Sequence, residues 1–330
     1  MEHALNFPRD MAQSTLEKNA VILVTGATGM VGGSLVRALR DHGFSRIVSP
    51  PRAELNLCET SSVETYFQRH RPEYVFLLAA KVGGIAANIA DPVGFLADNL
   101  QMTVNGLAAC QRFGVKKTLL LGSSCIYPCA CPQPMREEYL LTGPPEPTNE
   151  GYALAKIAAL KLAAYYHRQY GMQIVCPMPC NIYGTGDHFD LQRSHVLSSL
   201  VRRFCDACAN GLDAVTLWGT GTARREFMHV DDVVAGMLFL MDRKNAPDIV
   251  NLGTGVDVSI RQLAEKISQA SGFQGIINWD ATKPDGMARK CLDCSQLTTL
   301  GFTAQVNLDL GIERTIVEYK YLKDRGKIAA

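Results

Sequence analysis

No apolar run in this 330-residue chain reaches the roughly 18 residues that span a bilayer, so no membrane helix is expected. No run of five basic residues occurs and the formal charge is +1, which leaves no footprint for a phosphate backbone. Nucleic acid and membrane are therefore not expected partners. Residues 1–18 are mixed and polar, lack the apolar centre of a secretory signal, and read as a loose N-terminal tail. No internal repeat or low-complexity segment stands out. What remains is a chain 47% hydrophobic, enough to bury one or two α/β domains.

Cysteine, by contrast, is plentiful. Eleven cysteines without an export signal suit a reducing cytoplasm better than a disulfide framework. Two CxxC spacings, Cys205–Cys208 and Cys291–Cys294, offer four thiols to a zinc ion. Cys205 and Cys208, however, continue an apolar helical stripe through Leu197, Leu200, Val201 and Phe204. Core packing is the stronger reading, and no metal is expected.

Strand-like and helix-like runs alternate through the first half: AVILV (20–24), RIVS (46–49), YVFLLA (74–79), KTLLLG (117–122) and QIVCPM (173–178) read as strands. Helices are expected up to Gly43 and over 98–113 and 149–170. This alternation predicts an α/β fold, a doubly wound parallel sheet with helices on both faces. Proline-rich 127–150 and the stretch 184–194 break the rhythm and read as loops. Helices 195–209 and 259–271, with the remainder to 330, suit a smaller mixed lobe over the sheet's carboxyl edge. Residues 231–242 and 248–253 read as a helix and strand rejoining the sheet. The expected division is a cofactor domain of 19–183 and 214–256, and a substrate lobe of 184–213 and 257–330.

Between the first strand and helix, VILVTGATGMVGGSLVRAL supplies Gly26, Ala27, Thr28, Gly29, Met30, Val31 and Gly32. Small residues there permit a tight turn and let backbone N–H groups approach a pyrophosphate at a helix N-terminus. After the second strand stands Arg52, with no carboxylate until Glu54. A guanidinium suits a ribose 2′-phosphate, favouring NADP over NAD, although a solvated loop arginine is the plain alternative.

Tyr152 and Lys156 lie four apart in the helical run NEGYALAKIAALKL, so phenol and ammonium share a face. A neighbouring cation is expected to favour the phenolate and ease release of the tyrosine proton. TLLLGSSCIYP brings Ser123 and Cys125 to the end of a strand. Ser123, Tyr152 and Lys156 together form a proton-delivery set for a carbonyl receiving hydride.

The motifs GSSCIYP, EPTNEGYALAK, CNIYGTGDHFD, SHV, WGTGTARREFMHVDD and KPDGMARK, in this order, resemble those of GDP-L-fucose synthases. These belong to the extended short-chain dehydrogenase/reductases, and the similarity runs from about Val21 to about Gly301. It implies a Rossmann-like fold and NADPH-dependent 3,5-epimerisation and 4-keto reduction of GDP-4-keto-6-deoxy-D-mannose to GDP-L-fucose. By the same resemblance Cys125 and His195 match the epimerisation base and acid, and Ser123, Tyr152 and Lys156 the reduction residues. Further cofactor positions match Asn56, Leu57, Leu121, Gly122, Pro179, Cys180, Asn181, Ile182 and His195. Substrate contacts match Arg203, Trp218, Arg225 and Asp285. On its own helix Arg203 flanks the apolar stripe, whereas Arg202 is expected opposite the core; Trp218 suits either a nucleotide-sugar or packing. Gly151 replaces the family's usual proline, and PCNI (179–182) its PTNL. A homodimer through helices near 98–113 and 152–170 is implied.

Two other readings compete. A 4-epimerase or dehydratase recycling NAD would also use Tyr and Lys, but Arg52 and the Cys125/His195 pair disfavour it. A non-catalytic NADP-sensing protein would have little use for Ser123, Tyr152 and Lys156 together. A related enzyme acting on another GDP-4-keto sugar is the nearer alternative.

Overall fold

The structure, a computed structural model, describes residues 16–191, 194–283 and 285–328. Strand β1 (Ile22–Val24) leads to α1 (Met30–Asp41), β2 (Ile47–Val48) to α2 (Thr60–His70), and β3 (Tyr74–Leu77) to α3 (Ile85–Ala90) and α4 (Pro92–Arg112). Next come β4 (Lys117–Leu120), α5 (Glu150–Tyr170), β5 (Ile174–Pro179), β6 (Asn181–Tyr183) and α6 (Val196–Ala209). They are followed by β7 (Ala214–Trp218), β8 (Arg224–His229), α7 (Val230–Asp242) and β9 (Ile249–Leu252). The last elements are β10 (Asp257–Ser259), α8 (Ile260–Ser271), β11 (Ile276–Asp280), β12 (Arg289–Lys290), α9 (Ser295–Thr299) and α10 (Leu308–Asp324).

Six strands form one sheet in the order β2-β1-β3-β4-β5-β9, parallel throughout, as the alternation predicts. Its central strands are apolar and buried along their whole length, because helices cover both faces. The order reverses between β1 and β3, which opens a crevice at the carboxyl ends of these strands. Thr25 ties the two ends together: its hydroxyl donates to the Phe76 carbonyl and accepts from the N–H groups of Leu78 and Ala79.

A second core gathers Tyr183, Leu197, Val201, Phe204, Leu217, Phe227 and residues of α8 and α10. Strand β8 is its spine, pairing with β6, β10 and β12, while β7 pairs with β11. Val215 and Leu217 thus pack in the second core, whereas Leu292, Leu297 and Phe302 pack in the first. Among the described residues β7 pairs with β11 alone, and it packs in the second core although the sequence boundary placed it with the cofactor domain.

Other departures have local causes. Residues 16–18 are docked, not loose: Leu16 is 2% exposed, and the Lys18 ammonium donates to the His42 carbonyl at 2.7 Å. Residues 1–15 of the expected tail lie outside the described residues. Helix α4 begins at Pro92 rather than near 98, with Asp91 accepting from the Gly94 N–H. Proline tolerates a first helical turn, so the start signal was present. Helix α2 escaped the pattern because only Val63, Tyr66 and Phe67 carry its buried stripe. Cys205 packs in the second core as expected, but Cys208 is exposed on the same helix. All eleven thiols are free, and no group of three or more metal-ligating side chains assembles among the described residues. Among those residues no helix is long and apolar enough to cross a membrane.

Candidate active site

The loop from β1 into α1 is built for close backbone approach. Gly26 has φ +72°, and a Cβ there would come 2.9 Å from the Ala79 nitrogen; a Cβ on Gly32 would overlap the Gly26 carbonyl. Gly29 caps α1 without a side-chain acceptor, and no acid occupies the first turn, so the helix offers its N–H groups outward. Thr28 and Gly29 are exposed, and Ala27, Met30 and Val31 are half-buried. Arg52 is exposed after β2, its charge felt by the Cys58 thiol. Asn56 accepts from the Cys58 N–H and donates to Glu59, while buried Leu57 offers its carbonyl to Asn105. A cradle of backbone donors, with an exposed arginine in the loop after the neighbouring strand β2, fits a dinucleotide carrying an extra phosphate.

At the ends of β4 and β5 the chemical groups meet. Gly122 donates to the Pro177 carbonyl, and Pro179, Cys180, Asn181 and Ile182 continue from β5. Cys180 donates its N–H to the Leu252 carbonyl, and Asn181 donates to the Glu226 carbonyl at 2.7 Å. Ser123 opens a single 3-10 turn, its hydroxyl accepting from the Cys125 N–H at 3.4 Å. On α5, Tyr152 is half-buried and Lys156 buried, and Tyr152 meets Phe95 edge to face. A Cβ on Gly151 would come 2.7 Å from the Pro92 carbonyl oxygen. The glycine that departs from the family pattern therefore lets α5 start against α4.

The electrostatics differ from the expectation for an isolated helix. Burial, with the Cys125 thiol second, holds the Tyr152 phenol well above its ordinary range; a hydrogen bond with Ser123 opposes this. The Lys156 ammonium lies 5.8 Å from the ring centroid and donates to the Leu121 carbonyl at 2.6 Å. Burial lowers its pKa to about 8. The phenol thus stays protonated, a donor rather than a phenolate. Cys125 is also pushed up by burial, against the pull of Lys290, Ser123 and Lys156.

Ser123, Cys125, Tyr152 and Lys156 therefore converge. His195 is exposed at the cap of α6, its carbonyl accepting from Ser199, and among the described residues its side chain makes no hydrogen bond to that cluster. Arg203, about two turns further on, is half-buried. Arg202 is not opposite the core as the stripe suggested: its side chain is 11% exposed, donates to the Phe189 carbonyl and pairs with Asp206. Arg225 on β8 donates to the carbonyls of Met287 and Arg224. Trp218 is 68% exposed, which removes it from the packing reading. Asp285 accepts the N–H and hydroxyl of Thr220, both at 2.7 Å, and so fastens the turn after Trp218.

Sequence reasoning missed Lys290, the last residue of KPDGMARK, half-buried and opposite Arg225 in the β8–β12 register. A basic residue at strand alternation from Arg289 was the available signal, since neighbours on a strand face opposite ways. Arg289 and Arg224 turn to Asp257, whose carboxyl they hold below its usual range against burial.

Residues 22–253 match the NAD dependent epimerase/dehydratase family. The chain is 48% identical to a putative GDP-L-fucose synthase 2 of Arabidopsis thaliana, over 92% of this chain and 93% of that one. It is 42% identical to the GDP-L-fucose synthase of Escherichia coli K12, over 92% and 98%. Among solved structures, a GDP-L-fucose synthetase from Naegleria fowleri bound to NADP superimposes with a TM-score of 0.86 at 28% identity, covering 95% and 98%.

Proposed function

Because the chain belongs to the NAD dependent epimerase/dehydratase family and, within it, to the GDP-L-fucose synthases, we infer that it converts GDP-4-keto-6-deoxy-D-mannose to GDP-L-fucose. It is an NADP-dependent epimerase and reductase. The observation that carries the site assignment is the grouping of Ser123 and Cys125, just after β4, with Tyr152 and Lys156 on α5.

The 4-ketone acidifies the hydrogens on carbons 3 and 5. Cys125 removes a proton there, and the electron pair moves onto the ketone oxygen, where the protonated Tyr152 and Ser123 donate hydrogen bonds. His195 returns a proton to the opposite face. When bound, NADPH supplies the hydride that reduces carbon 4. Tyr152 then gives its proton to the resulting alkoxide, and Lys156 holds the phenol's surroundings positive as it does so.

For the cofactor, the loop Gly26–Gly32 receives the pyrophosphate, Arg52 the 2′-phosphate, and Leu121–Ser123 with Pro179–Ile182 border the nicotinamide. Arg203 and Arg225 take the substrate diphosphate, with Trp218 and Asp285 at the nucleotide-sugar. The same reading makes the enzyme cytoplasmic, where eleven free thiols stay reduced. It also makes it a homodimer through α4 and α5, which pack together and leave Val104, Leu154 and Tyr165 exposed. Incubation with GDP-4-keto-6-deoxy-mannose and NADPH, followed by product stereochemistry, tests the activity. Formation of the unepimerised 4-hydroxy sugar as sole product would reject it.

A further inference from the structure

Strand β12 and the segment after it are stitched to the loop that follows Cys125. The Cys291 N–H donates to the Gln133 side chain at 2.9 Å, Met135 N–H to the Cys291 carbonyl at 2.7 Å, and Asp293 N–H to the Met135 carbonyl at 2.8 Å. On the other side Leu292 N–H donates to the buried Glu226 at 2.7 Å, and Lys290 sits opposite Arg225. Arg289 is committed to Asp257, so strand alternation sends Lys290 to the face that carries Arg225. There its ammonium interacts electrostatically with Cys125, Arg225, Glu146 and Cys180. Lys290 makes no hydrogen bond or ion pair with any described residue. A half-buried lysine held in place by two ladders and left unpaired beside a thiol needs a purpose.

We propose that Lys290 takes the proton of the Cys125 thiol and holds the thiolate that abstracts hydrogen from the substrate. This rests on the reading of Cys125 as the base. The S–H bond breaks and an N–H bond forms, leaving thiolate beside ammonium. The thiolate then forms S–H as the substrate C–H breaks, and that pair passes to the enolate oxygen. His195 supplies the proton for the opposite face and is recharged, through solvent, by the proton that Lys290 holds. Every proton is accounted for and no oxidant enters.

The groups facing the thiol are Lys290 from β12, Ser123 after β4, and Tyr152 and Lys156 from α5. Those facing Lys290 are Cys125, Arg225 from β8, Glu146 before α5 and Cys180 after β5. Burial and Arg225 make the Lys290 amine easier to find neutral, while burial makes Cys125 a poor thiolate on its own. Lys156 is already bound to Leu121, and Lys290 exerts the stronger electrostatic pull on the thiol.

The test is alkylation of Cys125 by iodoacetamide against pH in the full-length protein, read on the Cys125 peptide by mass spectrometry. Lys290→Met should slow alkylation at neutral pH about tenfold, the effect of a one-unit rise in thiol pKa. Lys290→Arg should keep alkylation near the wild-type rate, because a guanidinium still holds the thiolate, whereas Lys290→Met should also slow solvent-deuterium entry into the substrate at least about tenfold. An unchanged alkylation profile or full-speed exchange in Lys290→Met overturns the inference. Should Cys125→Ser itself exchange at the wild-type rate, the reading of Cys125 as base fails instead.

Discussion

The ammonium of Lys156 donates to the carbonyl of Leu121 at 2.6 Å, bracing helix α5 against the end of β4. This bond leaves the ammonium over the Tyr152 ring, 5.8 Å from its centroid. The acid of the reduction is therefore a neutral phenol in a buried setting, and the lysine is a buried base whose pKa is lowered to about 8.

Removing the phenol tests that arrangement. Tyr152→Phe should reduce NADPH oxidation by at least about a hundredfold, the scale of lost general acid catalysis. Cofactor binding, followed by nicotinamide fluorescence, should change little. A variant turning over at the wild-type rate would remove the tyrosine from the chemistry.

The lysine has a cost that can be read in stability. An unfolded lysine titrates near 10.5 and the folded one near 8, so between these values the unfolded chain holds more proton and stability rises with pH. Lys156→Met should lose that rise and be more stable than the wild type below pH 8, by at most about 3.5 kcal/mol at roughly 1.4 kcal/mol per unit. Lys117, also lowered to about 8 by burial, is present in both proteins and cancels in the comparison. Denaturant midpoints at pH 7 and pH 10 measure it; an equal difference at both values would contradict the argument.

Cys125 and His195 carry separable roles. Cys125→Ser and His195→Asn should each slow solvent-deuterium entry at carbons 3 and 5, while direct 4-keto reduction continues. Mass spectrometry of the sugar product decides, and normal isotope entry in both variants would refute the epimerase assignment.

Arg52 reports on the cofactor. Arg52→Ala should raise the KM for NADPH by about tenfold to a hundredfold, the scale of a charge-assisted hydrogen bond, and leave that for NADH nearly unchanged. Equal losses for both nucleotides would take the 2′-phosphate away from this residue.

Glu226 is the structural counterpart of these groups. Wholly buried, it accepts N–H bonds from Thr254, Gly255 and Leu292, which only a carboxylate can do with both oxygens. Glu226→Gln places an NH2 group against a backbone donor and should cost about 1–3 kcal/mol, seen as a lower Tm. An unchanged Tm would mean that these bonds contribute nothing net.

The parallel sheet was legible because its strands are uninterrupted apolar runs, and the loop Gly26–Gly32 because turn chemistry is local. Tyr152 and Lys156 were legible for the same reason, being one helical turn apart. Helix α2 was not, since a three-residue stripe is too thin a signal, and neither was the role of Arg202, whose partner Phe189 lies thirteen positions away across a loop.

Local periodicity and spacing thus determined the sheet, the glycine cradle and the placing of a phenol and an ammonium on one helical face. Only the tertiary structure decided their protonation, because burial depends on what the rest of the chain packs around them. It alone also brought Lys290 beside Cys125, 165 positions apart in the numbering, through two ladders whose partners lie far apart along the chain.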